Sequence, residues 1–183
     1  MELLTNWDLG KETYFMDLLK FENFRNECKQ NLPKVVDDIL STGKHEKCCA
    51  VGLITTDDFY GFDVTWDFGN DIDTGEYFEW EPDDINTDTN FLYQPLVDIV
   101  DSCEDIDFCS PSKEKWDFAV SLLTVLQEVI NQLPNEIFLK NGFKREDVLF
   151  FATMGDGDYI YEMLDTSAKM FNAKETLETF GVI

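Results

Sequence analysis

Phe62-Asp63-Val64-Thr65-Trp66-Asp67-Phe68 (residues 62–68) alternates without a break. Phe62, Val64, Trp66 and Phe68 fall on one side of an extended chain, and Asp63, Thr65 and Asp67 on the other. A period of two is the mark of a half-buried β-strand, since successive side chains point to opposite faces. Upstream, residues 48–55 (CCAVGLIT) form a small, apolar, unbroken run that is too short for a free-standing helix and reads as a buried strand. Downstream, residues 77–81 (YFEWE) repeat the alternation, with Phe78 and Trp80 opposed to Tyr77, Glu79 and Glu81. The Gly- and Asp-rich residues 69–75 between the two alternating runs suit a hairpin or meander. A fourth strand is expected at residues 147–154 (DVLFFATM).

The segments on either side carry helical spacing. Residues 14–28 place Tyr14, Leu18, Phe21 and Cys28 near one stripe, widened by Phe15, Leu19 and Phe24. Leu32, Val35, Val36, Ile39 and Leu40 follow the i, i+3, i+4, i+7, i+8 pattern of a second helix. Pro33 suits the first turn of that helix and Gly43 its exit. Further helices are expected at residues 91–103, 113–133, 159–171 and 174–180, with a helical turn at 136–140. The one at 113–133 has the fullest apolar face, from Trp116 to Leu133, and Pro134 stops it. Strands and helices with no repeat, linker or low-complexity segment imply a single α+β domain over residues 1–183, with a small, mostly antiparallel sheet packed against several helices.

Composition limits the function. The 183 residues include 38 acidic and 14 basic side chains, a formal charge of −24, yet 44 % are hydrophobic and 16 are Phe. That is too apolar for a disordered chain. A pI near 4.1 argues against binding nucleic acid or an anionic membrane, whose phosphates the protein's field repels. The N-terminus lacks the basic start and apolar run of a signal peptide, and no apolar run reaches the length of a membrane span. Five cysteines, Cys28, Cys48, Cys49, Cys103 and Cys109, are an odd number with a vicinal pair, which fits free thiols in a reducing cytoplasm.

The charge is unevenly placed. Residues 48–112 contain no Lys, Arg or His, but 17 carboxylates. The other 118 residues hold 21 acidic and 14 basic side chains and are only mildly acidic. If the two alternating strands share a sheet, Asp63, Asp67, Glu79 and Glu81 project from its non-core face, beside Trp80 and with Asp83 and Asp84 at the edge. Like charges facing one another on a sheet are destabilising. A basic protein partner would relieve that repulsion, and Tyr60, Tyr77 and Trp80 would supply aromatic anchors. The plainer reading is a solvated face that serves solubility.

Motifs for chemistry are sparse. His45 is the only histidine, in a charged turn, so no Ser-His or Cys-His pair is indicated and no catalytic residue is assigned. Adjacent Cys48 and Cys49 point to opposite sides of a strand and there is no CxxC, against a zinc site. Residues 71–76 (DIDTGE) and 155–158 (GDGD) resemble oxygen-ligand loops but lack the EF-hand register. No metal or cofactor is therefore assigned. The GDGD loop lies between a strand and a helix, where many α/β proteins bind ligands, but lacks the lysine and spacing of a phosphate loop.

Several features occur together in a recognisable order: Thr55-Thr56-Asp57-Asp58 at a strand end, Trp80-x-Pro82, the helix at 113–133, the strand at 148–153 with its acidic loop, then Glu162, Ser167-Ala168 and Asn172. In these the chain resembles the bacterial domain-of-unknown-function family 4303 along its whole length, with Ile85 where members often carry a second Trp. The resemblance implies a small bacterial cytoplasmic protein and brings no activity or catalytic residues. Composition and charge together lead to the expectation of a non-catalytic acidic binding module, immunity- or antitoxin-like, that engages a basic protein. The alternative is a carboxylate-based binder of a small ligand or divalent cation, or an enzyme of that kind.

Overall fold

Three strands and six α-helices make up the parts of the chain that a computed structural model describes, residues 18–69 and 90–182. After a 3-10 turn at Leu18–Phe21 come α1 (Glu22–Thr42), β1 (Cys49–Thr55), β2 (Phe62–Phe68) and α2 (Asn90–Asp101). Then follow α3 (Lys113–Asn131), α4 (Asn135–Leu139), β3 (Val148–Met154), α5 (Ile160–Phe171) and α6 (Lys174–Thr179). The α+β class expected from the sequence is what is found, and the described residues pack as one compact domain. The expected strand at residues 77–81 lies outside the described residues.

The sheet order is β2-β1-β3. β1 and β2 pair antiparallel, Cys49 opposite Phe68 and Thr55 opposite Phe62, as adjacent runs joined by a short turn should. β3 joins the other side of β1 in parallel, Cys49 opposite Val148 and Thr55 opposite Met154, so the described sheet is mixed. The parallel pairing is possible because α2, α3 and α4 lie between β1 and β3 and carry the chain back to the starting end of the sheet.

Both faces of β1 are buried, which explains its unbroken apolar sequence. On one face Val51, Leu53, Phe62, Val64, Phe150 and Ala152 meet α1, α2 and α3 in the main core. On the other, Ala50, Leu149 and Phe151 form a smaller core with Ala168 of α5 and Leu177 of α6. Gly52 lies between Thr65 and Phe151, and a Cβ there would come within 2.7 Å of the Phe151 ring. Phe118 of α3 is the aromatic hub, its ring centroid 5.5 Å from Phe21, 5.3 Å from Phe59 and 5.0 Å from Phe108.

One expected boundary is corrected. Pro33 does not open a second helix but sits inside α1, which runs unbroken for 21 residues. The reason is the buried stripe Phe24, Cys28, Leu32, Val35, Val36, Ile39 and Leu40, which continues across the proline. Losing one helical hydrogen bond costs less than breaking that stripe. Arg25 and Lys29 hold α1 to α3 through Glu128, at 3.1 and 2.7 Å.

The outer edge of β3 is closed by side chains. Asn172 accepts the Phe150 N–H (2.9 Å) and donates to the Phe150 carbonyl (2.6 Å). The Ser167 hydroxyl accepts the Ala152 N–H and donates to the Ala152 carbonyl, both at 2.8 Å. Arg145 donates to the Val148 carbonyl (2.7 Å), and its guanidinium lies 4.6 Å from the Phe150 ring centroid. Burial holds that guanidinium down at about 10, below the usual arginine value.

Phe118→Ala should remove the hub of four rings and cost about 3–5 kcal/mol. Urea unfolding should show a lower midpoint with an unchanged slope.

Candidate functional site

The ends of β1 and β3 that lead out of the parallel pair bring together two acidic segments 99 residues apart. Gly155 N–H donates to the Thr55 carbonyl (2.8 Å), extending the pairing past the strands. Asp57 N–H then donates to Asp156 Oδ1 (3.2 Å), and Asp158 N–H reaches Asp57 Oδ1 (3.4 Å). Gly157 makes this approach possible, with a φ of +101° and a Cα so close to the Asp57 carboxylate that a Cβ would overlap it.

Against these loops lies Lys115, in the first turn of α3. Its side chain is wholly buried and Nζ is 2.7 Å from Asp57 Oδ1. The angles are not those of a directed hydrogen bond, so the contact is a charge pair. Nζ also lies 5.9 Å from the centroid of the Tyr159 ring. Tyr159 Oη donates to the Ser112 carbonyl (2.9 Å) and its ring packs 5.2 Å from Trp116. Ser112 caps the helix by accepting the Lys115 N–H (3.1 Å). A cation at a helix N-terminus opposes the dipole, so Asp57 is the group that makes Lys115 tolerable there.

Sequence reading assigned no role to Lys115. Its signal was spacing: it precedes Ala119 by four residues and Leu122 by seven, which puts it on the buried stripe of α3. The turn from Thr56 to Gly61 is unusual in a second way, because Phe59 adopts a φ of +59° while fully buried beside Phe118. Packing of that ring compensates a conformation that non-glycine residues seldom adopt.

Of the expected partner-binding residues, Asp63 and Asp67 are exposed on β2 on one side of the strand, about 13 Å apart along it. Glu79, Trp80, Glu81, Asp83 and Asp84 lie outside the described residues. The face that carries Asp63 and Asp67 is polar only at β2, because at β1 and β3 it is covered by α5 and α6. The acidic surface extends instead toward α2. Tyr93 Oη donates to Asp63, and Tyr60 Oη to Asp101 (3.2 Å). Gly61 lies against the Tyr93 ring, where a Cβ would collide with it.

These carboxylates are held by neutral donors. Asp67 accepts the Phe68 N–H (2.7 Å), Asp98 the Gln94 side-chain amide (3.0 Å) and Asp107 the Cys109 N–H (3.0 Å). Among the described residues of the base-free stretch, Asp57 alone has a cationic partner. Outside that stretch some carboxylates are paired, as Asp37 is with Lys140 and Asp165 with Lys169. Burial, then the hydrogen bond and charge of Asp63, push the Tyr93 phenol up to about 12. For Tyr60 the hydrogen bond it donates to Asp101 is the main cause of a raised value.

The nucleophile candidates are scattered. All five cysteines are free, and burial pushes the Cys28 and Cys49 thiols up, away from the reactive thiolate. His45 is exposed in the turn after α1. Among the described residues no group of three or more His, Cys, Asp or Glu is placed to hold a metal ion. No helix there is long and apolar enough to cross a membrane. Comparison with family models, curated proteins and solved structures gives no match to this chain.

Asp57→Asn should strand the buried Lys115 charge and cost about 3–5 kcal/mol, whereas Lys115→Met should change stability by about 1 kcal/mol or less. Paired urea titrations would reveal this asymmetry, and equal costs would show that the charge pair is not what matters. Tyr93 gives a pH test. A folded-state value raised above the ordinary tyrosine value contributes stability that is intact below about pH 10 and lost as pH rises through about 12. In Asp63→Asn, absorbance titration should show Tyr93 ionising at lower pH, with the elevation due to burial remaining.

Proposed function

We propose that this chain is a non-catalytic binding module of the immunity or antitoxin type, which engages a basic protein through the acidic surface of β2, its flanking turn and α2. As its family resemblance implies, we place it in the bacterial cytoplasm. The observation that carries this reading is that Asp63, Asp67, Asp98 and Asp101 lie on adjoining elements with no ion pair among the described residues, in the one stretch of the chain that holds no Lys, Arg or His. Neutral donors fix these side chains without neutralising them, so the field remains available to a partner.

A basic groove of the sort that binds nucleic-acid phosphates is the complementary surface, because a row of anchored carboxylates presents similar charge. Tyr60 and Tyr93 stand beside the carboxylates, each more than a third exposed. Aromatic faces of this kind stack well on arginine and are favoured anchors of protein interfaces. Opposite charges across such an interface act chiefly on the association rate.

The test is capture of partners at low salt by the native chain and by a variant with Asp63, Asp67, Glu79 and Glu81 changed to Lys. The expected result is one stoichiometric basic protein, lost in the variant, whose association rate falls steeply with salt while its dissociation rate changes little. Equal capture of the same proteins by both chains would show that this surface is not the interface.

A further inference from the structure

Every sheet edge exposes backbone donors and acceptors that another strand can take up. β3 is such an edge among the described residues, and its sequence, VLFFATM, is apolar, β-prone and uncharged. In parallel pairing with β1, the groups of Phe150 and Ala152 point away from the sheet, and all four are occupied by Asn172 and Ser167 at 2.6–2.9 Å. Each of these side chains both accepts from the N–H and donates to the carbonyl of one residue, two residues apart, as a neighbouring strand would. Both are also tied to α5: Asn172 donates its second amide hydrogen to the Ala168 carbonyl (2.7 Å), and Ser167 is itself a residue of α5. The helix thus holds the place of a strand.

We propose that α5 is an autoinhibitory plug on a strand-accepting edge, and that removal of Ser167 and Asn172 lets β3 pair with β3 of a second copy. A second copy presents the same run and the same free groups, so antiparallel pairing about a two-fold axis is self-complementary. The charge of −24 opposes the approach of two copies and acts as a further safeguard, so association should strengthen with salt. This inference is independent of the proposed binding function.

The test uses the full chain with Ser167→Ala and Asn172→Ala together, in about 0.5 M salt, where screening shortens charge repulsion to a few ångströms. Light scattering after size exclusion should show a dimer whose fraction rises with concentration, against a monomeric native chain. Amide exchange at Phe150 and Ala152 should stay slow in that dimer. Adding Ala152→Pro removes an outward N–H that β1 does not use and should restore the monomer. A folded double variant that stays monomeric with both amides exchanging freely would overturn the proposal, as would a dimer indifferent to the proline. Should the double variant fail to fold, the single variants decide, since each opens one half of the edge. A concentration-dependent dimer from either supports the plug, and two folded monomers refute it.

Discussion

Burial of β1 on both faces is the constraint from which the rest of the fold follows. A strand with core above and below cannot carry charge on either side, and Cys49 to Thr55 carries none. It must also find partners for the backbone groups on both of its edges. β2 supplies one partner within a short turn, and β3 supplies the other only after three helices. Those helices must then cover the main core face, while α5 and α6 cover the second. The described part of the domain is accordingly three-layered, with a narrow sheet between helices.

Few charged groups are buried, among them Asp117 and the Arg145 guanidinium. Lys115 is wholly buried, and the loops beyond β1 and β3 meet at its partner: Asp57 comes from one, and Asp158 N–H and Gly157 of the other lie against the Asp57 carboxylate. Buried pairs of this kind rarely add net stability over well-packed apolar residues, but breaking one side is costly. The ion pair therefore fixes how the two loops and the start of α3 meet. The turn it fixes leads directly into Tyr60, Gly61 and β2, so interior electrostatics and the acidic surface share one short segment.

The readable parts of the sequence were those where one rule dominates. β2 lies with one face buried and one exposed, so alternation reported it; β1 and β3 are buried twice, so unbroken apolar runs reported them. At Pro33 two rules conflict. The local preference of proline for a first turn pointed to a boundary, but the buried stripe on both sides required continuity. Lys115 was obscured by its chemical type although its spacing was that of the core. Ser167 and Asn172 carry no local signal of this role. Bonds from a side chain to a strand 15 and 22 residues away leave no periodicity in the sequence. Of the acidic surface, the charge was plain from composition, whereas its extension to α2 through Tyr60 and Tyr93 depends on tertiary contacts.

The two edges of the described sheet meet the same hazard by different means. At β3 the strand is apolar along its length, so a charged residue there would have to be buried beneath α5; the edge is instead satisfied with neutral hydrogen bonds. At β2 one face is already polar, and Asp63 and Asp67 place negative charge along the strand that faces outward from β1. Charge on an edge strand discourages pairing with another copy of the same chain, since the copies repel. It does not discourage a cationic partner, which is drawn to the same residues. Protection against self-association and selection of an oppositely charged partner are thus two consequences of one arrangement at β2, whereas the neutral plug at β3 can provide only the first.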